Sequence, residues 1–382
     1  MAEGQIGAGG QIRGLCPPRF AAVRAAFEAN FAEGKEMGAR FALALDGEIV
    51  IDLIGGWADR AQTRPFDETT LTPVFSTTKG IVALMLARLV GQGRLAYSDR
   101  VSDVWPEFAA AGKAAVSVEQ LLSHQAGLCG IVGPMDPAEW FDWHAICARL
   151  AAMTPLWEPG MASGYHPVTF GFLAGEVFRR VDGRTIGRAL REDIAGPLGL
   201  DLWIGLPESE DPRVSEVRRP PAMPALGEIT EPKRLAFFTK WSQPGGRGDG
   251  AWRRAEIPSA NGHATAPALA RLMAALAGKG RLDGVQVVAG GMAEKASRTR
   301  IKGRDLVMPY DMAWGAGFIR NEGLGIYGPG RDAFGHSGWG GSCAFADPAT
   351  GVSGAYVMNR QSAELIDDSR ARRLIEAAYE GM

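Results

Sequence analysis

Cysteine is scarce and scattered in this sequence. The 382 residues include four cysteines, at positions 16, 129, 147 and 343, and none of them forms a CxxC or zinc-finger spacing with another. The five histidines show no ligand spacing either, and no HExxH motif occurs. We therefore expect free buried thiols in a reducing compartment, and neither a metal nor a cofactor.

The sequence also lacks a long apolar run and a surplus of positive charge. Its best apolar stretch, residues 80–90, is too short to span a bilayer and contains Arg88. The first 14 residues, MAEGQIGAGGQIRG, have neither the basic start nor the apolar centre of a secretory signal, which favours a cytoplasmic protein. The 41 basic and 43 acidic residues give a net charge of −2, so binding to nucleic acid or to an anionic membrane is not expected as the main function. The oligomeric state is left open.

Hydrophobic periodicity predicts a mixture of helices and strands. Helices are predicted at 20–33, 168–181, 185–195, 265–277 and 361–380, and a hairpin at 40–57 with Asp46-Gly47 as its turn. Strands are predicted at 313–320, 342–346 and 352–358. Because strands occur near both ends, we predict one α/β domain from residues 1–85 and 250–382, and a mostly helical domain inserted at 86–249. Residues 205–260 are rich in proline, glycine and charge and are interpreted as surface excursions over a site.

The most informative short motif is Ser76-Thr-Thr-Lys79, an S-x-x-K sequence at the start of a predicted helix. A serine hydroxyl is a weak nucleophile and needs a base beside it. Positions i and i+3 share one face of a helix, so Lys79 can reach Ser76. Burial and the positive end of the helix would both lower the pKa of the lysine, and the same helix end can stabilise an oxyanion. The spacing alone is common, so its meaning depends on partners elsewhere.

Two further segments supply such partners. Tyr165 lies in Ser163-Gly-Tyr-His-Pro167, at a turn before a predicted helix, where its hydroxyl can project into a cleft. The segment Gly335-His-Ser-Gly-Trp-Gly-Gly-Ser342 precedes a strand that we interpret as an edge strand. Its small residues let a ligand lie close to the backbone.

Taken together, these pieces resemble the serine β-lactamase and penicillin-recognising superfamily over nearly the whole chain, and family VIII carboxylesterases in particular. The resemblance implies a β-lactamase/transpeptidase-like α/β fold, with an antiparallel sheet flanked by helices and a mostly helical insertion. The matching segments are Val74–Gly80, Leu121–Leu128, Pro159-Gly160 with Tyr165–Gly171, Pro197–Leu200, Pro258–His263 and Gly335–Gly338.

The resemblance also implies roles for individual residues. Ser76 would be the acylated nucleophile, Lys79 the general base or its electrostatic partner, and Tyr165 a participant in proton transfer. His336-Ser337-Gly338 falls where β-lactamases have K-T-G, which places the oxyanion hole at the backbone N–H groups of Ser76 and Trp339. The later Trp339-Gly340-Gly341 offers an alternative register. The substrate-binding residues expected from these positions, and from proximity to the motifs, are Phe75, Trp157, His336, Gly338 and Trp339.

Two departures from the superfamily bear on the substrate. Pro167 stands where β-lactamases and penicillin-binding proteins have an asparagine, so the side-chain amide that holds a lactam or peptide amide is missing. His336 replaces a lysine that anchors a substrate carboxylate. Both favour a neutral ester.

The leading hypothesis is therefore a serine carboxylesterase for small or short-acyl esters. The alternatives are a β-lactamase or D-amino-acid amidase or peptidase, an acyltransferase on the same fold, and a non-catalytic ligand-binding relative. The intact Ser-Lys-Tyr set argues against the last of these. Gly335-His-Ser337 mimics the start of a G-x-S-x-G elbow, but Trp339 replaces the last glycine, which disfavours Ser337 as the nucleophile.

Overall fold

The computed structural model describes residues 10–220, 222–246 and 248–382. Residues 1–9, which begin both the N-terminal segment considered above and the first predicted domain, lie outside the described residues.

The longest strands lie near the two ends of the chain, and shorter strands lie between them. In chain order they are β1 (Arg13–Leu15), β2 (Gly38–Leu45), β3 (Glu48–Gly56), β4 (Thr72–Pro73), β5 (Leu202–Trp203), β6 (His263–Ala264), β7 (Arg281–Leu282), β8 (Val285–Gln286), β9 (Ile301–Arg304), β10 (Asp311–Trp314), β11 (Ile319–Arg320), β12 (Phe334–Ser337), β13 (Cys343–Asp347) and β14 (Val352–Met358).

Helices occur along the whole chain, and most of them lie between β4 and β6. They are α1 (Ala21–Ala32), α2 (Thr78–Gly91), α3 (Val101–Val104), α4 (Val118–Leu122), α5 (Trp143–Ala152), α6 (Thr169–Asp182), α7 (Ile186–Leu190), α8 (Glu231–Lys233), α9 (Gly250–Arg254), α10 (Ala266–Ala277), α11 (Met292–Ser297), α12 (Asn321–Leu324) and α13 (Ser369–Glu380). None of the described helices is long and apolar enough to cross a membrane.

A nine-stranded antiparallel sheet forms the centre of the molecule, in the order β1-β3-β2-β14-β13-β12-β11-β10-β9. Neighbouring side chains of a strand point to opposite faces of the sheet, so one strand contributes side chains to the hydrophobic cores on both faces. In β14, Ala355 and Val357 join the core that contains α2, α6 and α10, whereas Tyr356 and Met358 join the core that contains α1 and α13. The predicted antiparallel sheet flanked by helices is confirmed.

Several local predictions are confirmed with small shifts. The hairpin turns at Asp46-Gly47, where both residues have positive φ (49° and 92°), as a tight turn between β2 and β3 requires. Ser117 caps α4 by accepting a hydrogen bond from the backbone N–H of Gln120, and Gln120 accepts one from the backbone N–H of Ser117.

Three predictions near the C-terminus need correction. The strand predicted at 313–320 is two strands, β10 and β11, because the chain reverses at Gly317 (φ 85°). The helix predicted at 361–380 begins only at Ser369, where the side chain of Asp368 caps it. The strand after the Gly-rich segment, β13, is central rather than at an edge, and β12, which the sequence analysis missed, pairs with it.

Candidate active site

Ser76 lies on a sharp turn at the entrance to α2. The turn is one 3-10 helical segment, Phe75–Thr77, and Phe75 adopts a left-handed backbone conformation with φ of 47°, which bulky residues rarely do. The side chain of Thr78 donates a hydrogen bond to the Phe75 carbonyl and accepts one of 2.9 Å from the backbone N–H of Gly262. The turn is thereby fixed to the neighbouring segment, and the partly exposed Ser76 faces a cavity.

Lys79 lies one turn further along α2 and is fully buried. Its Nζ is 3.1 Å from Ser76 Oγ, 2.7 Å from the carbonyl oxygen of Pro167 and 2.9 Å from that of Ser259. Burial lowers the pKa of Lys79 well below its ordinary value, because the charged ammonium is poorly solvated there. A neutral amine has two N–H groups and one lone pair. Two N–H groups suffice for the two carbonyls, which leaves the lone pair for the Ser76 hydroxyl proton.

Tyr165 completes a three-residue cluster with Ser76 and Lys79. It lines the same cavity as Ser76, and the Lys79 Nζ lies 4.8 Å from the centre of its ring. The ring stacks on the indole of Trp314, with centroids 5.8 Å apart and planes inclined by 5°. Burial raises the pKa of Tyr165, so the phenol is protonated at neutral pH. The structure thus brings together the three residues that the sequence analysis singled out from separate segments.

His336 belongs to a strand rather than to the predicted turn. It lies in β12, is buried, and donates from Nδ1 to the Ser337 carbonyl at 2.9 Å. Its Nε2 has no hydrogen-bond partner among the described residues, and the side chain lines the cavity beside Ser76. Burial and the nearby Lys79 lower the pKa of His336 to about 3, so the ring is neutral and Nε2 is an acceptor.

Gly338 lies where β12 meets the turn that carries Ser76. A Cβ atom at Gly338 would stand 2.3 Å from both the Val74 carbonyl oxygen and Ser342 Oγ, so only glycine allows this close approach. Ser342 Oγ donates to the Val74 carbonyl at 2.8 Å and lies 3.0 Å from Thr77 Oγ1. The structure thus places Gly338 and Ser342 directly against the turn that carries Ser76.

A cavity opens at Ser76, and most of the side chains that line it are apolar. Among the described residues that line it, none is Asp, Glu, Lys or Arg. The lining includes Phe75, Ser76, Tyr165, Val168, Trp314, Ile319, His336, Ser337, Trp339, Leu365 and Ile366.

Two of the predicted substrate-binding residues, Trp157 and Gly338, do not belong to this described lining. Trp157 instead supports the loop that carries Tyr165. Its ring packs where a Cβ of Gly164 would stand, and its indole N–H donates to the Ala162 carbonyl at 3.0 Å. Although Trp157 is close to the Tyr165 motif in sequence, it therefore supports the loop and does not form part of the described cavity wall.

The segment 205–260 covers the cavity. Its described residues are mostly irregular, as predicted, and contribute mainly apolar side chains, with one hydroxyl and one amide, to the wall: Met223, Pro224, Leu226, Ala236, Phe237, Ser242, Gln243, Pro244, Trp252 and Ala260. This part of the wall therefore comes mostly from residues outside the segments that match the superfamily.

Sequence reasoning missed two residues that support the cluster. The Ser259 carbonyl binds Lys79, and the buried Asp305 binds the backbone N–H of Tyr165 at 2.9 Å. Ser259 lies in a segment that matches the superfamily, but a contact through its carbonyl leaves no side-chain signature. Asp305 lies in no motif, so no pattern pointed to it.

A known protein family matches most of this chain. The Beta-lactamase family profile matches residues 23–379. The chain belongs to the beta-lactamase family. The esterase/beta-lactamase LipL of Mycobacterium tuberculosis is 37% identical over 374 residues, which cover 94% of this chain and 85% of LipL.

Two solved structures of the same fold cover 97% of this chain and all of their own. A penicillin-binding protein homologue from Caulobacter crescentus is 64% identical with a TM-score of 0.96. A family VIII carboxylesterase is 44% identical with a TM-score of 0.91. The expected resemblance to family VIII carboxylesterases, and the β-lactamase-like fold, are confirmed.

The two residues that depart from the superfamily pattern implied by the resemblance both lie at the site. Pro167 offers a backbone carbonyl, which accepts a hydrogen bond from Lys79, in place of a side-chain amide. His336 offers a neutral acceptor in place of a cation. Both differences remove groups that would bind an amide or a carboxylate.

Proposed function

We propose that the protein is a serine carboxylesterase that hydrolyses small or short-acyl esters through an acyl-enzyme on Ser76. The observation that carries the substrate class is the described lining of the cavity, which holds no charged side chain around Ser76. A neutral ester enters such a cavity without leaving a charge unpaired, whereas a substrate carboxylate would lose its hydration without gaining a cation. The names of the similar proteins, an esterase/beta-lactamase and a family VIII carboxylesterase, support the same class.

In the first half of the proposed reaction, Ser76 Oγ attacks the ester carbonyl while its proton passes to the Lys79 amine. The backbone N–H groups of Ser76 and Trp339, which both line the cavity, hold the oxyanion. The C–O bond to the alcohol then breaks, and the alcohol leaves with a proton relayed from Lys79 through the Tyr165 hydroxyl.

In the second half, water attacks the acyl-enzyme carbonyl and gives its proton to the same Lys79–Tyr165 pair. The tetrahedral intermediate collapses, the carboxylic acid leaves and Ser76 recovers its proton. Lys79 acts as the base here because burial lowers its pKa and so favours the neutral amine, and Tyr165 acts as a protonated relay because burial disfavours its phenolate.

A β-lactamase activity is the second candidate, since LipL carries both names. Pro167 and His336 oppose it for the reasons above, so we expect it to be weak. Nitrocefin hydrolysis measures it directly.

The decisive experiment compares wild type with Ser76→Ala on p-nitrophenyl esters of rising acyl length. Mass spectrometry of the intact protein after rapid quenching looks for the acyl adduct. We expect hydrolysis and an acyl adduct in wild type, and neither in Ser76→Ala. Hydrolysis by Ser76→Ala above background would show the proposal to be wrong, and transfer to an added alcohol instead of water would favour an acyltransferase.

We also propose the division into an α/β domain (1–85 and 250–382) and a helical domain (86–249), together with a cytoplasmic location. The division is supported by one sheet that takes strands from both ends of the chain, although α2 crosses its boundary at residue 85. The location is supported by four cysteines that are all free thiols, as suits a reducing compartment.

A further inference from the structure

Asp305 is a buried carboxylate that accepts hydrogen bonds from every partner around it. It is 2% exposed. Its Oδ1 accepts from the backbone N–H groups of Tyr165, Val307 and Met308, each at 2.9 Å. Its Oδ2 accepts from Ser163 Oγ at 2.9 Å and from the Trp314 indole N–H at 3.2 Å.

No lysine or arginine among the described residues forms an ion pair with Asp305. Burying a carboxylate without a counter-ion is unfavourable unless donors replace its hydration, and here five donors do so. The five hydrogen bonds involve both carboxylate oxygens. Such an arrangement holds several chain segments in one fixed geometry.

Those segments converge on Tyr165. Asp305 binds the Tyr165 backbone directly, and it also binds the indole of Trp314, on which the Tyr165 ring stacks. The backbone N–H of Leu306 donates to the Ser163 carbonyl at 2.9 Å, which ties the two loops together a second time. The place of the Tyr165 hydroxyl therefore depends on Asp305 through two separate contacts.

Ser76 and Lys79 are held by other means. The Lys79 amine is fixed by the carbonyls of Pro167 and Ser259, and the turn of Ser76 is fixed by Thr78 and Gly262. A substitution of Asp305 should therefore displace Tyr165 and leave Ser76 and Lys79 in place.

We propose that Asp305 is a positioning residue that sets the Tyr165 hydroxyl for proton delivery to the leaving alcohol. The inference rests on the proposed esterase function. The negative charge of Asp305 adds to burial in raising the pKa of Tyr165, which keeps the proton available for delivery. The other titratable groups near the phenol are Lys79, His124, His166, His336 and Tyr327.

A pair of esters with the same acyl group tests this role. Ethyl butyrate needs protonation of its alcohol as it leaves, whereas p-nitrophenolate is a good leaving group and needs little. Asp305→Asn keeps the shape of the side chain but loses the charge and an acceptor. We expect kcat/KM for ethyl butyrate to fall about 100-fold, as for a misplaced catalytic group. For p-nitrophenyl butyrate we expect a fall of less than about tenfold, because its leaving group needs less assistance.

The matched control is Asp347→Asn. Asp347 is also buried, in β13, and accepts a hydrogen bond of 2.8 Å from the Tyr379 hydroxyl. We expect this variant to change the two esters by the same factor. The melting temperature of each variant is measured by circular dichroism, so that loss of fold is separated from loss of proton delivery.

An unchanged ratio between the two esters in folded Asp305→Asn would overturn the inference. If that variant does not fold, Ser163→Ala is tested instead, because it removes one donor to Asp305 Oδ2. We expect it to show the same selective loss of kcat/KM for ethyl butyrate, but a smaller one. Ser76→Ala separates the two proposals. If it retains activity, the proposed function is wrong, whereas an inactive Ser76→Ala with an unaltered ratio in the Asp305 variant refutes only the positioning role.

Discussion

The Lys79 Nζ lies 3.1 Å from Ser76 Oγ, and the two other atoms that it contacts are both carbonyl oxygens. A carbonyl can only accept a hydrogen bond, so the two N–H groups of a neutral amine are directed at Pro167 and Ser259. The remaining lone pair faces the serine. This arrangement is the basis of the first prediction.

Lys79→Arg is expected to lower kcat/KM for p-nitrophenyl butyrate by about 10²- to 10⁴-fold, since a guanidinium keeps the charge but cannot act as a base. In wild type, kcat/KM should rise with pH through the lowered pKa of Lys79 and be level well below the ordinary lysine value of about 10.4. Steady-state kinetics over a pH series measures both.

The control for this change is Lys113→Arg. Lys113 is also buried, and its Nζ donates to the carbonyls of Ala110 and Met153, away from the cavity. This variant should retain its kcat/KM. Substantial activity in Lys79→Arg would show that the residue acts through its charge and not as a base.

An ester whose acyl group carries a negative charge should be a poor substrate. p-Nitrophenyl hemisuccinate has the same four-carbon acyl length as p-nitrophenyl butyrate but ends in a carboxylate. Because the described cavity lining offers no cation, we expect kcat/KM for the hemisuccinate to be lower by roughly 100-fold or more. Equal values for the two esters would mean that a cation reaches the substrate.

Gly338→Ala should damage both fold and activity. Its methyl group would stand 2.3 Å from the Val74 carbonyl oxygen, so β12 or the Ser76 turn must shift. We expect a loss of about 1–3 kcal/mol in the free energy of unfolding, together with reduced kcat. Urea unfolding and ester hydrolysis test this. Gly290→Ala, where a Cβ meets nothing within 4 Å, should change neither quantity.

Acid should destabilise the protein through four buried histidines. Burial lowers the pKa of His166 and of His336 to about 3, that of His263 to about 4, and that of His124 well below its ordinary value. Below about pH 6.5 the unfolded chain binds more protons than the folded chain, so stability is full above that pH and falls as pH decreases toward the folded values. Each histidine contributes up to about 1.4 kcal/mol per pH unit.

Thermal unfolding from about pH 7 to about pH 5 covers the upper part of that window. His263→Gln should flatten the pH dependence of the melting temperature. His144→Gln, which replaces an exposed histidine, should not. A melting temperature that is constant over this range would contradict the prediction.

The secondary-structure predictions were confirmed where the sequence signal is local. Asp46-Gly47 permits positive φ and so makes a hairpin turn, and Ser117 with Gln120 caps a helix within four residues. The strand β12 was not predicted, because its local signal is weak. Phe334–Ser337 is short and contains glycine, and it is a strand only because β11 and β13 pair with it.

The sequence by itself determined the candidate chemical groups, a serine with a lysine one turn away and a tyrosine in a second motif, and the family to which the chain belongs. Only the tertiary structure decided what surrounds these groups. The carbonyls of Pro167 and Ser259, the carboxylate of Asp305 and the apolar wall from 205–260 come from distant segments. Proton affinity and substrate charge depend on burial and on the donors and acceptors within reach, and these are properties of packing that no local pattern contains.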